Sequence, residues 1–237
     1  MFNGYELTQR FVVSDLRNPL MPRTVNAISV PGMDGSAFAG AKLDPRAMTM
    51  TVTVMGRTED ELEAESRMLA AMLATEKPAP LTISNNNGLY YLAVASAPSD
   101  GVRSYNAISY DVTFTAHDPV AYGDERTITV PSGGSVTFGV GGTYRTAPTV
   151  VAPSAANCSD GYWRLTLDDA DRFSLVVPDG VATSRVEGDC ASRVLRIDGE
   201  VSLLDALSDW LEFEPGQHTL AMEGTGAATV TYRERWV

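Results

Sequence analysis

Residues 47–55, AMTMTVTVM, alternate without interruption: Met48, Met50, Val52 and Val54 are apolar, and Thr49, Thr51 and Thr53 are polar. A period of two sends the first set to one face of a strand and the second to the other, so the segment predicts a strand buried on one side. Residues 106–119, NAISYDVTFTAHDP, repeat the pattern, with Ile108, Tyr110, Val112 and Phe114 alternating with Ser109, Asp111, Thr113 and Thr115. Shorter strand candidates are YELTQRFVVSDL, TVNAISV, PLTISN and LYYLAVAS, the last two joined by a turn at Asn85 to Gly88.

The one convincing helix lies among these strands, in TEDELEAESRMLAAMLATEK. Thr58 and Glu61 have capping-box spacing, acids fill the first turn, and Lys77 with Pro78 closes the end. Leu62, Leu69, Met72 and Leu73 form its apolar stripe. Two segments read as connections. Residues 31–46, PGMDGSAFAGAKLDPR, form a long excursion between strands; residues 131–148 hold a short strand with Val136, Phe138 and Val140 between glycine-rich turns. Beyond them YWRLTLDD, RFSLVV, RVLRIDG, DWLEFEPG, QHTLAME and ATVTYRERW alternate with the turns PDG, EPG and EGTG, the rhythm of a β-sandwich or jelly roll. SLLDALSDWL is read as a possible short helical turn.

The chain has 237 residues, room for two domains, and its 44% hydrophobic and 20% charged residues are those of a globular protein. Its net charge of -12 is spread evenly: residues 1–125 carry 9 basic and 15 acidic side chains, and residues 126–237 carry 9 and 15. Such a surface opposes phosphate-backbone binding, so no sequence-specific nucleic acid contact is expected. No apolar run approaches the ~20 residues of a membrane span, and the N-terminus lacks a signal-peptide layout, so membrane insertion is not expected and synthesis is placed in the cytoplasm. Cys158 and Cys190 are read as reduced.

Candidate chemistry is sparse. His117 adjoins Asp118, but neighbouring strand residues point to opposite faces and Pro119 stops the ladder, so the pair reads as a strand end rather than a catalytic dyad. His218 is read as a strand histidine, and Asp168, Asp169 and Asp171 as a solvated turn without the glycine and distal Glu of a calcium loop. PGMDGSAFAG lacks the lysine and following helix of a phosphate loop. The chain is therefore read as a non-enzyme, with no catalytic, cofactor or metal site. Tyr162, Trp163, Trp210, Tyr232 and Trp236 leave open a sugar-binding surface, although Trp163 shares parity with Leu165 and Leu167 and so faces the core.

Three stretches, FNGYELTQRFVVSDL, ISVPGMDGSAFAGAKLDPRAMTMTVTV leading into the single helix, and YDVTFTAHDPVAYG, resemble the distal tail proteins of long-tailed siphophages, as does the closing DWLEFEPGQHTLAMEGTGAATVTYRERW. The resemblance implies a mainly β structural protein of two domains. Residues 1–125 would be an α+β, β-barrel-like (split-barrel) domain with one helix that forms a hexameric ring; residues 126–237 would be a galectin-like β-sandwich. It also implies the tail tip of the virion as location, with a tail-tube protein and a tail-associated tip protein as partners. The acidic composition suits a conduit for DNA.

Two functions follow: a structural hub joining tube to tip, or alternatively a carbohydrate-binding module recognising a host cell-wall glycan. Within residues 31–46, Met33, Phe38 and Leu43 would lie bare unless a neighbouring protomer covers them, so they are the expected oligomer interface.

Overall fold

A computed structural model describes residues 1–83, 88–96, 100–158, 161–178 and 183–237, with Asp171 described by its backbone alone. The expected turns at Asn85–Asn87 and Asp179–Gly180 lie outside the described residues. Two compact units are present, Met1–Ala121 together with Val237, and Tyr122–Trp236.

In the first unit, strands β1 (Val12–Arg17), β2 (Arg23–Ile28), β3 (Ala37–Leu43) and β4 (Arg46–Met55) precede helix α1 (Glu59–Leu73). Strands β5 (Ala79–Thr82), β6 (Tyr90–Ser96), β7 (Val102–Ser104) and β8 (Ala107–Ala116) follow it. The main sheet runs β1–β4–β8–β6, with β5 beside β6 and β7 beside β8. The two alternating segments of the sequence are its centre: β4 and β8 pair antiparallel from Arg46 opposite Ala116 to Met55 opposite Ala107. Met48, Val52, Val54, Val112 and Phe114 are fully buried, and Phe2 meets the Phe114 ring edge-on at 4.8 Å. The opposite face is lined with hydroxyls, where Thr51 donates to Asp111 and Thr53 bonds Ser109.

Helix α1 starts as its sequence dictates. Thr58 Oγ1 accepts the Glu61 N–H at 3.2 Å, and the Glu61 carboxylate accepts the Arg57 N–H at 2.7 Å. Leu62, Leu69 and Leu73 are buried, Met72 is half-buried at the margin of the stripe, and Tyr110 of β8 bonds Ser66 of the helix.

The second unit contains β9 (Ala121–Val130), β10 (Ser135–Val140), β11 (Thr149–Ala155), β12 (Trp163–Leu167) and β13 (Asp171–Leu175). It continues with β14 (Ser184–Asp189), β15 (Val194–Ile197), β16 (Glu200–Ser202), β17 (Gly216–Glu223) and β18 (Ala228–Trp236). One sheet runs β9–β18–β11–β14–β15–β16 and the other β10–β17–β12–β13. Val150, Val186, Leu195 and Val230 from the first join Phe138, Leu165, Phe173 and Leu220 from the second in one core, the packing of a sandwich. Trp163 is fully buried there, on the side its parity predicts. The turn before β18 needs Gly226, whose φ is +88° and where a Cβ would stand 1.9 Å from the Ser154 carbonyl oxygen.

In the second unit two sequence expectations differ from the structure. DWLEFEPG is not a strand: Phe213 makes a single bridge to Thr146, while Leu211 and Phe213 anchor the segment in the core. SLLDALSDWL forms no helix. Only its first residue, Ser202, belongs to β16, and the rest follows β13, where Asp205 N–H donates to Ser174 O and Asp209 N–H to Arg172 O. Those contacts satisfy backbone groups that a helix would otherwise pair internally.

Candidate functional site: an exposed arm and its buried root

Half of the long excursion after residue 30 is itself a strand. Ala37–Leu43 pairs with Arg23–Ile28 as a separate two-stranded sheet, and no residue from Val12 to Pro45 is buried. The hairpin is an arm. Its register runs Arg23 opposite Leu43, Val25 opposite Ala41 and Ala27 opposite Phe38, so β3 carries one extra residue between the last two pairs. Gly40, at φ +107°, lies in that bulge and supplies backbone freedom that other residues lack.

The bulge decides which side chains share a face. In an uninterrupted strand Phe38 and Leu43, five positions apart, would point to opposite sides. The extra residue brings both to one face with Val25, Ala27 and Ala41. Phe38 is 69% exposed and Val25 59%, while Leu43 is half-buried. Met33, 45% exposed, sits in the tip, where its N–H donates to Val30 O. Of the three residues singled out by sequence, two therefore share an apolar face and the third caps its end.

The root of the arm depends on Arg46, which the sequence reading passed over. Its side chain is 2% exposed. Nε donates to Pro119 O at 2.8 Å, Nη1 to Asn18 Oδ1 at 3.1 Å and Pro19 O at 2.7 Å, and Nη2 to Leu20 O at 3.2 Å. The guanidinium also lies 5.1 Å from the centre of the Tyr91 ring. Residues 18–22, NPLMP, contain two prolines that have no N–H to offer, so this bend relies on an outside donor for its carbonyls. Arg46 supplies that donor from the first position of β4, immediately after the returning strand. Thr24 with Asp44, and Asp44 N–H with Pro22 O, close the root from the other side.

Comparison with known proteins places this geometry. Residues 3–116 match the phage tail protein RIFT-related domain, and residues 141–236 match the C-terminal domain of the siphovirus-type tail component. The distal tail protein of Bacillus phage SPP1 is 24% identical, covering 100% of this chain and 95% of its own. The chain belongs to the siphophage distal tail proteins. The crystal structure of the SPP1 protein, described as a hub adsorption apparatus of phages infecting Gram-positive hosts, superposes with a TM-score of 0.84 at 20% identity, covering 100% of this chain and 98% of that one. A chain of the phage p2 baseplate in its activated conformation with Sr superposes at 0.50 and 10% identity, covering 97% and 93%. A distal tail protein is a structural component of the phage virion, not an enzyme.

The remaining candidates fit that family membership. His117 is exposed and directly follows the last residue of β8. In the second unit, Tyr232 is buried with its hydroxyl on Gly139 O, Trp210 meets Phe173 edge-on, and Tyr162 lies under the Arg164 guanidinium. The groove between β11, β14 and β15 is lined by Val151 and Val194 together with Thr149, Glu187, Asp189, Ser192 and Arg196 and has no aromatic among its lining residues, so it does not resemble an aromatic sugar platform. Among the described residues no helix is long and apolar enough to cross a membrane.

His218 is more than a strand histidine. Nδ1 lies 2.6 Å from Asp168 Oδ2 and Nε2 lies 2.6 Å from Glu214 O, and Asp168 Oδ1 also accepts the Thr219 N–H at 2.7 Å. Both partners of the ring are acceptors, so only the doubly protonated imidazolium satisfies both. Partial burial lowers the His218 pKa, but the bonds to Asp168 and Glu214 outweigh it and raise the value above 6.5. The Thr219 N–H and the His218 ring hold Asp168 below its ordinary 3.8.

The raised histidine contributes stability that is complete below pH 6.5 and lost as pH rises through its folded pKa; the depressed aspartate contributes above 3.8 and fades as pH falls through its own folded value. The second unit is therefore expected to melt lower on going from pH 6 to pH 9, with the decline starting above 6.5. His218→Gln should flatten that slope in melts followed by near-UV circular dichroism. An identical slope in the variant would assign the pH dependence to another group.

Proposed function

We propose that the chain is the hub of a long-tailed phage's tail tip, a ring that joins the tail tube to the tail-associated tip protein. The observation that carries this reading is the arm: an apolar face whose Val25 and Phe38 the chain's own body leaves exposed, on a hairpin whose root is held by a buried arginine. Apolar surface on a protruding, fixed element is stabilised only when a partner covers it. The distal tail protein family supplies the setting, and the SPP1 protein's description as a hub supports the same role here.

In this proposal residues 1–125 form the ring, six-fold by resemblance to the family and β-barrel-like in shape, with Met33, Phe38 and Leu43 at the contact between protomers. Residues 126–237 form the outer, galectin-like sandwich. Synthesis takes place in the host cytoplasm and the finished protein resides at the virion tail tip. Arm and body differ in shape, so the contact is head-to-tail, and a head-to-tail contact either closes into a ring or continues as a filament.

Electron microscopy of the protein mixed with its tube or tip partner tests the reading. An annulus with an open centre is expected. A chain that stays monomeric and binds neither partner would refute the hub.

A further inference from the structure

We propose that the acceptor for the arm is an apolar groove on the first unit of a second copy, formed where the N-terminal segment, paired beside β5, leads into β1. The inference rests on the arm being an interface between protomers, and adds where it docks. Leu7, Val13, Leu16, Met50, Leu81 and Ile83 line the groove, which holds about 380 Å³. An aliphatic cavity of about 150 Å³ accommodates a benzene ring. The groove therefore has room for Phe38 together with an aliphatic neighbour from the same face, such as Val25 or Leu43.

Three observations select a second copy as the occupant. First, Leu16 at the groove is 41% exposed, and Phe38 of the same chain is 69% exposed and not among the lining residues, so the chain does not fill its own groove. Arg46 fixes the root of the hairpin, which leaves the arm of one copy available to the groove of the next. Second, the charge pattern favours it. Residues 18–45 contain Arg23 and Lys42 against Asp34 and Asp44, a net charge of zero, while the whole chain carries -12. Two acidic bodies repel each other, and the neutral arm is the segment able to approach. Third, Arg23 shares the apolar face of the arm, and Glu6 stands among the groove's lining residues, which gives the docked arm an opposite charge at its edge.

The closing experiment uses the full-length chain with p-benzoylphenylalanine at position 38, mixing isotopically light and heavy copies before irradiation. Crosslinks between copies are expected on the tryptic peptides ending at Arg10 and Arg17, which contain Leu7, Val13 and Leu16. Leu16→Asp and Phe38→Asp complete the test, since both side chains are exposed and neither is needed for the core. Each variant alone should weaken the contact about 10–100-fold, the effect of losing one buried apolar side chain. Mixed, they should form a heterodimer that grows no further, because the intact arm of the Leu16 variant fits the intact groove of the Phe38 variant and no other good pair remains.

Crosslinks between copies that map elsewhere, or rings formed normally by the Leu16 variant, would overturn the groove while leaving the hub standing. Absence of crosslinks between copies, together with no incorporation beside the tube or tip partner, would overturn both.

Discussion

Replacing Arg46 with methionine is expected to lower the stability of the first unit by about 2–4 kcal/mol and its melting midpoint by on the order of 10 °C. The size follows from the acceptors left behind. Three backbone carbonyls, from Pro19, Leu20 and Pro119, and the Asn18 side-chain oxygen would lose a donor at one stroke. The loss stays at or below that of breaking a buried ion pair because all four acceptors are neutral, so methionine strands no carboxylate and removes a cation that was itself costly to bury. Arg46→Lys should fall between, because an ammonium is a single point and cannot span Pro119 on one side and residues 18–20 on the other. Hydrogen exchange should locate the loss, with the amides of β2 and β3 exchanging faster than those of the second unit. An unchanged midpoint in the methionine variant would show that the proline bend is satisfied without the guanidinium.

The importance of Arg46 also shows which parts of this chain a sequence discloses. β4 and β8 were legible because one face of each is buried and the other carries Thr and Ser, so burial itself imprinted the alternation. Helix α1 was legible through Thr58 and Glu61, whose roles are local and set by spacing. The strand Ala37–Leu43 left no such trace: neither of its faces is buried, its small residues carry no period, and the Gly40 bulge breaks parity between Phe38 and Leu43. β14, whose SRVEGD mixes charge and glycine, was missed for a related reason. Only its alternate positions Ser184, Val186 and Gly188 are buried, and two of those three are not large apolar residues.

Long-range polar contacts were the least legible. His218 meets Asp168 across 50 positions, and Arg46 meets Asn18 and Pro119 across 28 and 73. Nothing in the local sequence of either partner marks the other. The composition of NPLMP was the available signal for Arg46: a bend with two prolines has fewer N–H groups than carbonyls and must find a donor elsewhere. In the arm, by contrast, Met33, Phe38 and Leu43 could be picked out because apolar residues in a glycine-rich connection have no core of their own to enter.

Excising Gly35 to Lys42 should abolish assembly while leaving the body of the first unit folded. The deletion removes Phe38 and nearly all of β3, yet no side chain from Val12 to Pro45 is buried, so the core formed by Met48, Val52, Val112 and Phe114 loses no contact it depends on. The melting midpoint is therefore expected to shift by no more than about 2–3 °C, the consequence of freeing β2 from its partner β3. Assembly should respond on a different scale. The excision takes away Phe38 and Ala41 from the docking face and separates Leu43 from Val25, so about 2–3 apolar anchors are lost at once, each worth roughly a 10–100-fold change in affinity. A closed ring compounds the loss, because every protomer contributes the same defective arm and every contact fails together. Size-exclusion chromatography with light scattering, run with and without the tube partner, measures the assembly, and circular dichroism melts of the same samples measure the fold. A shortened protein that still formed rings would place the contact between protomers on the body; one that failed to fold would show that the hairpin supports the sheet from which it projects.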